Sequence, residues 1–188
     1  MIKQILSCIL IIILAGQLQA QSKKEVKKSK VKSVKVMHTK EVNGKMVELN
    51  ESFTRYDKEG HELEEINYSE DGKFLVRIRR EYNKNNDMIE ESLYDVNDKL
   101  TRQVKTKYNV FNDKQEEVWT DGSGKIVEKT LFTYNSNNEK SAEVVLDGNG
   151  VLIRKELFIY DKKGMKTQKS TYDGSGKLVA IKKFEYEY

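Results

Sequence analysis

The hydrophobic and polar positions after residue 56 recur with a period of twenty-six residues. A fixed period of this length is typical of repeat architectures, in which each unit is one supersecondary motif. Six tyrosines mark the period, and we call them the tyrosine ladder. They are Tyr56, Tyr82, Tyr108, Tyr134, Tyr160 and Tyr186. Residues 57–188 therefore contain five copies of one unit.

Each unit is predicted to hold two strands joined by short turns. The segments between turns are rich in Val, Ile, Thr, Tyr and Phe, and they lack the three-and-four spacing of a helical face. A turn follows each ladder tyrosine, as in 57–60 and 83–86, and a second turn, as in 121–124, divides the unit. Most turns open with Asp or Asn, which bond back to the backbone, and close with Gly or Asn, which tolerate the left-handed conformation.

These patterns predict an all-β fold, an antiparallel meander of about 11–12 strands built from double-strand repeats. The turns are too short for a parallel crossover, which needs a dozen or more residues. The sequence contains no proline that would bar a strand from central pairing. Because a sheet of this width twists and curls, we expect a curled sheet or an open barrel.

The N-terminal residues predict an exported protein. Residues 1–20 contain Lys3, an apolar run and a small residue before Gln21, which is typical of a cleaved secretory signal peptide. The junction resembles signal sequences of Bacteroidota, which implies a Gram-negative source and a periplasmic, cell-surface or secreted location. The single cysteine, Cys8, lies in this segment. An uncleaved membrane anchor is the alternative, but the apolar run is short for a membrane span.

Residues 21–33 form a basic lead-in with six lysines and no aromatic residue. We expect a flexible, solvated arm, and any membrane contact would be made through it. Lipopolysaccharide and nucleic acid are other anionic partners for lysines, but the repeats themselves are close to neutral, which argues against a nucleic-acid groove along the sheet. Residues 34–56 predict an irregular first hairpin that turns at Asn43-Gly44. Residues 34–188 would then be one β-repeat domain.

Columns of equivalent positions predict which face of the sheet is buried. One apolar column follows the second turn, and a neighbouring column points to the opposite face. These columns are Phe74, Leu100, Ile126, Leu152 and Leu178, and Leu75, Thr101, Val127, Ile153 and Val179. A third column shares the face of the tyrosine ladder. It consists of Arg80, Thr106, Phe132, Phe158 and Phe184. This face, with Trp119, is predicted to be either the core or an exposed binding surface.

The charged columns predict a register for the sheet. If every turn is a four-residue loop, oppositely charged side chains face each other on neighbouring strands. The predicted pairs are Glu91 with Arg102, Glu143 with Arg154, and Lys169 with Glu156.

Several turn sequences resemble the tyrosine–aspartate (YD, or RHS) repeats of bacterial secreted and cell-surface proteins. The resemblance rests on Tyr56-Asp57-x-x-Gly60, Tyr160-Asp161-x-x-Gly164 and the segment 173–178, and it covers residues 56–188. It implies curling β-sheet that binds carbohydrate in some members or builds a shell around a toxin. The array is short and divergent, with Asn after three of the ladder tyrosines, and we expect no toxin domain.

The sequence offers little for catalysis. His38 and His61 have no nucleophile at motif spacing. Neighbouring carboxylates such as Glu90 and Glu91 point to opposite faces of a strand and cannot act together on one substrate. The segment 147–150 lacks the other ligands of a calcium loop. We expect no catalytic residue, no metal site and no cofactor.

We therefore expect a non-enzymatic exported protein that acts as a binding or structural surface in the cell envelope or outside the cell. Stacked tyrosines suit a carbohydrate or a protein partner. The alternative is a periplasmic carrier of a lipid or apolar ligand, held in a curved sheet lined by the later phenylalanines and the tyrosines. A hydrolase is a third class, for which the sequence supplies no candidate residues.

Overall fold

The computed structural model describes residues 22–187, so the predicted signal peptide lies outside the described residues. A short helix precedes twelve antiparallel strands, which lie side by side in chain order in one curled sheet. The elements are α1 (Lys23–Ser29), β1 (Ser33–Val42), β2 (Lys45–Tyr56), β3 (Glu62–Tyr68), β4 (Phe74–Tyr82), β5 (Met88–Tyr94), β6 (Leu100–Tyr108), β7 (Lys114–Asp121), β8 (Ile126–Tyr134), β9 (Lys140–Asp147), β10 (Leu152–Tyr160), β11 (Lys166–Asp173) and β12 (Leu178–Lys183). The predicted all-β meander is confirmed, and the sheet is not closed into a barrel because β1 and β12 are not paired with each other.

The first hairpin turns at Asn43-Gly44, as predicted. Both residues have positive φ angles, 52° and 78°, which is the geometry of a two-residue type I′ turn. The mirror-image turn matches the right-handed twist of β1 and β2, so the two long strands pair without splaying.

The ten later turns share a different geometry. In the first of them, the Asp57 N–H donates to the His61 carbonyl and the Gly60 N–H donates to the Asp57 carbonyl. The fourth residue of every such turn is left-handed. These residues are Gly60, Gly72, Asn86, Asp98, Asn112, Gly124, Asn138, Gly150, Gly164 and Gly176. This is a three-residue loop whose left-handed residue forms a bulge next to the turn.

The predicted register is wrong by two residues. The pairing of residues across strands shifts by one residue because each loop contains three residues and not four. It shifts by a second residue because the strand that follows each turn carries a bulge. Glu91 therefore faces Val104 instead of Arg102, and Glu143 faces Glu156 instead of Arg154. Lys169 faces Phe158. Because side chains alternate with period two, a shift of two leaves every side chain on its predicted face.

Two of the predicted ion pairs form across a diagonal. Arg154 Nη2 lies 3.8 Å from Glu143 Oε1, and Lys169 Nζ lies 2.7 Å from Glu156 Oε1. Diagonal neighbours on adjacent strands are within reach of long side chains. Glu91 pairs instead with Arg80 on the preceding strand, at 2.8 Å.

The bulges also explain the second apolar column. Leu75, Val127 and Ile153 are residues that the register skips, and their side chains are exposed. This column therefore adds apolar side chains to the surface of the sheet and not to its core. The buried side chains lie mainly on the face of the aromatic column. They are Ile78, Val104, Thr106, Thr130, Val145, Glu156 and Phe158.

Part of the predicted flexible lead-in is helical. Ser22 and Glu25 form a capping box, in which each side chain bonds to the backbone of the other, and Lys30 ends the helix in the left-handed conformation. Val26 is only 1% exposed. The Ser-x-x-Glu pattern was readable from the sequence, but the tertiary contact that holds so short a helix was not. Across residues 22–187, no helix has the length and apolarity needed to cross a membrane.

Candidate functional site at the tyrosine rim

The candidate site lies where the five turns after the ladder tyrosines line up at one end of the strands. We call this row of turns the tyrosine rim. It comprises residues 57–60, 83–86, 109–112, 135–138 and 161–164. Strands two apart in a sheet are separated by about 9.6 Å, so the five turns present a row roughly 40 Å long.

Five ladder tyrosines clamp this rim from within. The Tyr108 hydroxyl donates to the Met88 carbonyl at 2.8 Å, so a residue at the end of one strand fixes the start of the preceding strand. In every repeat, the tyrosine hydroxyl makes the same bond to the carbonyl of the residue twenty positions earlier. It joins Tyr82 to Glu62 (3.2 Å), Tyr134 to Lys114 (2.8 Å), Tyr160 to Lys140 (2.9 Å) and Tyr186 to Lys166 (2.8 Å). These hydroxyls are engaged within the protein and are not free to bind a ligand.

Four of these tyrosines are half-buried, and burial raises the pKa of each of them: Tyr82, Tyr108, Tyr134 and Tyr160. Near Tyr82 the charge of Arg80 opposes this effect, and the carboxylate of Glu62 adds to it. A raised pKa means that the folded protein favours the neutral phenol, which is the form that donates the clamping hydrogen bond.

The opening residue of each turn fixes the rim from outside. Asn109 Oδ1 accepts from the Phe111 N–H at 2.8 Å and from the Asp113 N–H at 3.0 Å. Asp57, Asn83, Asn135 and Asp161 accept the same two bonds in their own turns. The rim is therefore a row of preorganised turns, and a ligand would meet it without ordering a loop.

An open recess of about 380 Å³ lies between the third and fourth turns of the rim. Aromatic side chains and amides line it, together with one threonine. The lining residues are Asn109, Phe111, Gln115, Phe132, Thr133, Tyr134, Asn135 and Asn138. None of these side chains carries a formal charge.

One wall of the recess departs from the repeat. Val110 and Phe111, at the tip of the third turn, are 91% and 73% exposed. The equivalent tips are polar in the four other copies, where they read Lys58-Glu59, Lys84-Asn85, Ser136-Asn137 and Lys162-Lys163. Exposed side chains contribute little to folding, so this apolar tip has no structural explanation. This signal lies in the alignment of the repeats at the turn tips and not in the tyrosine ladder.

The predicted aromatic column does not form an open apolar surface. Phe158 is 8% exposed, and the Nζ atoms of Lys140 and Lys166 lie 4.9 and 4.7 Å from the centre of its ring. Lys140 also covers Phe132, at 5.4 Å, and Lys182 covers Phe184, at 5.5 Å. An apolar ligand on this face would have to displace these ammonium groups from the rings.

Trp119 joins the same face, as predicted, because it pairs with Val104 on the neighbouring strand. The guanidinium of Arg102 lies 3.9 Å from the centre of the indole ring. This stacking contact covers one face of Trp119. Trp119 is not among the residues that line the recess.

A charged cluster replaces phenylalanine at the start of the aromatic column. Arg80 contacts Glu91 at 2.8 Å and both Glu62 and Glu65 at 3.1 Å. Burial alone would lower the pKa of Arg80, but the hydrogen bonds and charges of Glu91 and Glu65 outweigh it and raise that pKa. The cluster therefore holds one cation among three carboxylates.

His61 attaches α1 to the first turn of the rim. Its ring is buried and stacks on Tyr82, with centroids 4.4 Å apart. His61 Nδ1 lies 2.8 Å from Asp57 Oδ2, and Nε2 lies 2.5 Å from Lys23 Nζ. Burial alone would raise the pKa of Asp57, but bonds from the His61 backbone and ring outweigh it and lower that pKa. His61 is thus a structural link between helix and turn.

His38 lies at a distance from this link, on β1. Its Nδ1 is 3.7 Å from Glu51 Oε2 on the paired strand β2. The two histidines are therefore not brought together. Within residues 22–187, no group of three His, Cys, Asp or Glu side chains is placed to hold a metal ion.

Comparison with known proteins gives structural likeness only. No protein-family model and no curated protein sequence matches the chain. A crystal structure of TcdB2-TccC3-TEV superposes with a TM-score of 0.45 and 11% identity, over 80% of this chain and 10% of that chain. A porin-like protein from Bacteroides uniformis superposes with a TM-score of 0.47 and 8% identity, over 76% of this chain and 78% of that chain.

A third neighbour is S. aureus TarM, with a TM-score of 0.25, 14% identity and coverage of 82% of this chain and 22% of that chain. The chain thus spans about a tenth of the length of the TcdB2-TccC3 protein that it matches. With TM-scores below 0.5, these likenesses carry no argument about function.

Proposed function

We propose that the protein is a non-enzymatic, exported β-repeat protein that binds neutral carbohydrate at the tyrosine rim. The observation that carries this proposal is the recess between the third and fourth turns, with its apolar tip at Val110 and Phe111. Aromatic rings stack on the C–H faces of sugars, while amides bond to sugar hydroxyls. The chain is proposed to be a short, divergent relative of the YD repeats, acting in the periplasm, at the cell surface or outside the cell.

The composition of the recess supports a neutral ligand. Its volume of about 380 Å³ lies at the lower end of the range for ligand pockets, ~300–1,000 Å³. Gln115 and Asn138 make no side-chain hydrogen bond in the described part of the chain, so their amides are available to a ligand. Anionic ligands would gain little here, because no lining residue is charged and the ammonium of Lys140, which lies over Phe132, is paired with Glu143 at 2.8 Å.

The repeat itself supplies the variant that tests the site. Substituting Val110→Lys and Phe111→Asn (V110K/F111N) gives the third turn of the rim the sequence of the rim's second turn, Asn83–Asn86. That turn folds with the same hydrogen bonds to the backbone. The fold should therefore survive, and the apolar wall should be lost. Val96→Lys is the matched control, since Val96 is an exposed apolar residue at the other end of the strands.

The measurement is isothermal titration with a panel of neutral oligosaccharides of glucose, mannose, galactose and xylose. We expect at least one to bind, the control to bind equally, and V110K/F111N to bind about tenfold more weakly or worse, which corresponds to ~1.4 kcal/mol. Equal binding by V110K/F111N would place the site elsewhere. A panel with no ligand would reject the carbohydrate partner.

A further inference from the structure

The lysines at the start of the described chain stand apart from the other charges of the protein. Residues 22–35, which we call the lysine strip, contain seven lysines and one glutamate, a formal charge of +6. Residues 36–188 contain 26 basic and 29 acidic residues, a formal charge of −3. The protein therefore has a strongly basic N-terminal surface on a slightly acidic sheet.

The helix within the strip is held against the sheet. Val26 is buried, Lys27 Nζ lies 2.5 Å from Glu59 Oε2, and Lys23 reaches His61. The Gly60 backbone lies so close to α1 that a Cβ at this position would lie 2.6 Å from the Lys23 carbonyl oxygen. These contacts fix the direction in which the remaining lysines of the helix project.

Five lysines of the strip have no anionic partner within the described residues. Lys23 and Lys27 are engaged by the sheet, and the one carboxylate of the strip, Glu25, is engaged by Ser22 in the capping box. The five others are exposed. They are Lys24, Lys28, Lys30, Lys32 and Lys35. Unpaired like charges at this density produce a positive potential that attracts an extended anion.

We propose that the lysine strip docks the protein on an anionic lipid bilayer. Lysine ammonium groups are point charges that suit dispersed headgroup phosphates, each contributing separately to attraction at the surface. The strip contains no aromatic residue on which nucleic-acid bases would stack and no arginine for bidentate phosphate recognition. The strip and the recess of the tyrosine rim share no residue, so this surface is additional to the proposed carbohydrate site.

The test is cosedimentation of the protein with vesicles of phosphatidylcholine alone and of phosphatidylcholine with phosphatidylglycerol. The strip variant replaces its five unpaired lysines by glutamine, K24Q/K28Q/K30Q/K32Q/K35Q. The control variant removes the same charge from five exposed lysines elsewhere, K99Q/K125Q/K162Q/K177Q/K183Q. Circular dichroism checks that both variants keep the sheet.

We expect the wild type and the control to bind only the anionic vesicles, less tightly as salt is raised. The strip variant should lose binding by about fivefold for each lysine removed, or more than a hundredfold in total. Absence of wild-type binding, or equal losses in the two variants, would overturn the proposal. Tighter binding of the strip to heparin or single-stranded DNA than to the vesicles would also overturn it.

Discussion

At the scale of single residues, the ladder tyrosines are internal clamps. The sequence predicted the column but left open whether it is core or binding surface, because a period fixes which positions are equivalent and not what each hydroxyl contacts. In the structure, the Tyr108 hydroxyl on β6 donates to the Met88 carbonyl on the neighbouring strand β5. That contact depends on the turn geometry and the bulge, which periodicity does not encode.

The clamp predicts a specific cost for losing one hydroxyl. Tyr108→Phe keeps the ring and removes the donor, so the Met88 carbonyl loses its partner and the free energy of unfolding should fall by about 1 kcal/mol. Urea unfolding followed by circular dichroism measures this. Tyr68→Phe is the control, since Tyr68 makes no side-chain hydrogen bond in the described chain and should unfold like the wild type. Equal effects of the two changes would contradict the clamp.

The clamps also predict a dependence on alkaline pH. The pKa of Tyr82, Tyr108, Tyr134 and Tyr160 is raised in the folded protein, so unfolded tyrosines ionise first as pH increases. The stabilisation is therefore fully present below about pH 10, the ordinary tyrosine value, and is lost above it. Ultraviolet titration of the folded protein should show these four tyrosines ionising above that pH, and an ordinary titration of all four would contradict the clamp.

Arg80 predicts a larger effect than its neighbour Arg79. Arg80→Gln leaves three carboxylates around an uncharged amide, and we expect a loss of roughly 2–4 kcal/mol, somewhat below a fully buried pair because Glu62 is partly exposed. Arg79→Gln removes an exposed pair with Glu64 on the other face and should cost about 0–1 kcal/mol. Chemical denaturation of both variants checks the order, and a reversed order would show that Arg80 is not the centre of the cluster.

At the scale of elements, the turns were the most predictable feature and the register the least. Asp or Asn at the start and Gly or Asn at the end are local requirements of the backbone, so the sequence carries them directly. Register depends on bulges such as the one at Thr101, where the hydroxyl bonds back to the Leu93 carbonyl at 3.1 Å. A bulge adds one residue without a sequence signature of its own, which is why the predicted register was wrong and two of the three predicted ion pairs form only across a diagonal.

The left-handed position of the turns predicts different costs for alanine and asparagine. Gly124 has a φ of +85° and open space around its Cβ position, so Gly124→Ala pays only for backbone conformation, about 1–2 kcal/mol. Gly124→Asn should cost less, because Asn86, Asn112 and Asn138 occupy the same position in other turns. Thermal unfolding of both variants measures the difference. Equal costs would mean that something other than the left-handed backbone requires glycine.

At the scale of the whole molecule, the chain is a one-dimensional array in which each strand contacts only its neighbours in sequence. Such an array follows from periodicity and short turns, so the sequence was sufficient to predict it. Of the residues that line the recess, the sequence indicated Phe132 and Tyr134. It did not predict the recess itself, which arises where one copy departs from the others. Val110 and Phe111 are informative only against polar tips in the four equivalent turns.

The tyrosine ladder and the candidate binding site have different roles in the sheet. The tyrosines hold neighbouring strands together, the lysines over Phe158 cover the aromatic column, and the exposed aromatic surface is concentrated at the third turn. We propose that ligand binding takes place at the recess between the third and fourth turns of the rim.

Amide-resolved NMR during titration with the neutral oligosaccharide panel tests this claim most directly. We expect chemical shifts to change at residues 109–115 and 132–138. The amides around Trp119, and those of the turns at the opposite end of the strands, should stay unchanged. Shifts spread along the aromatic column, or confined to another part of the sheet, would contradict it.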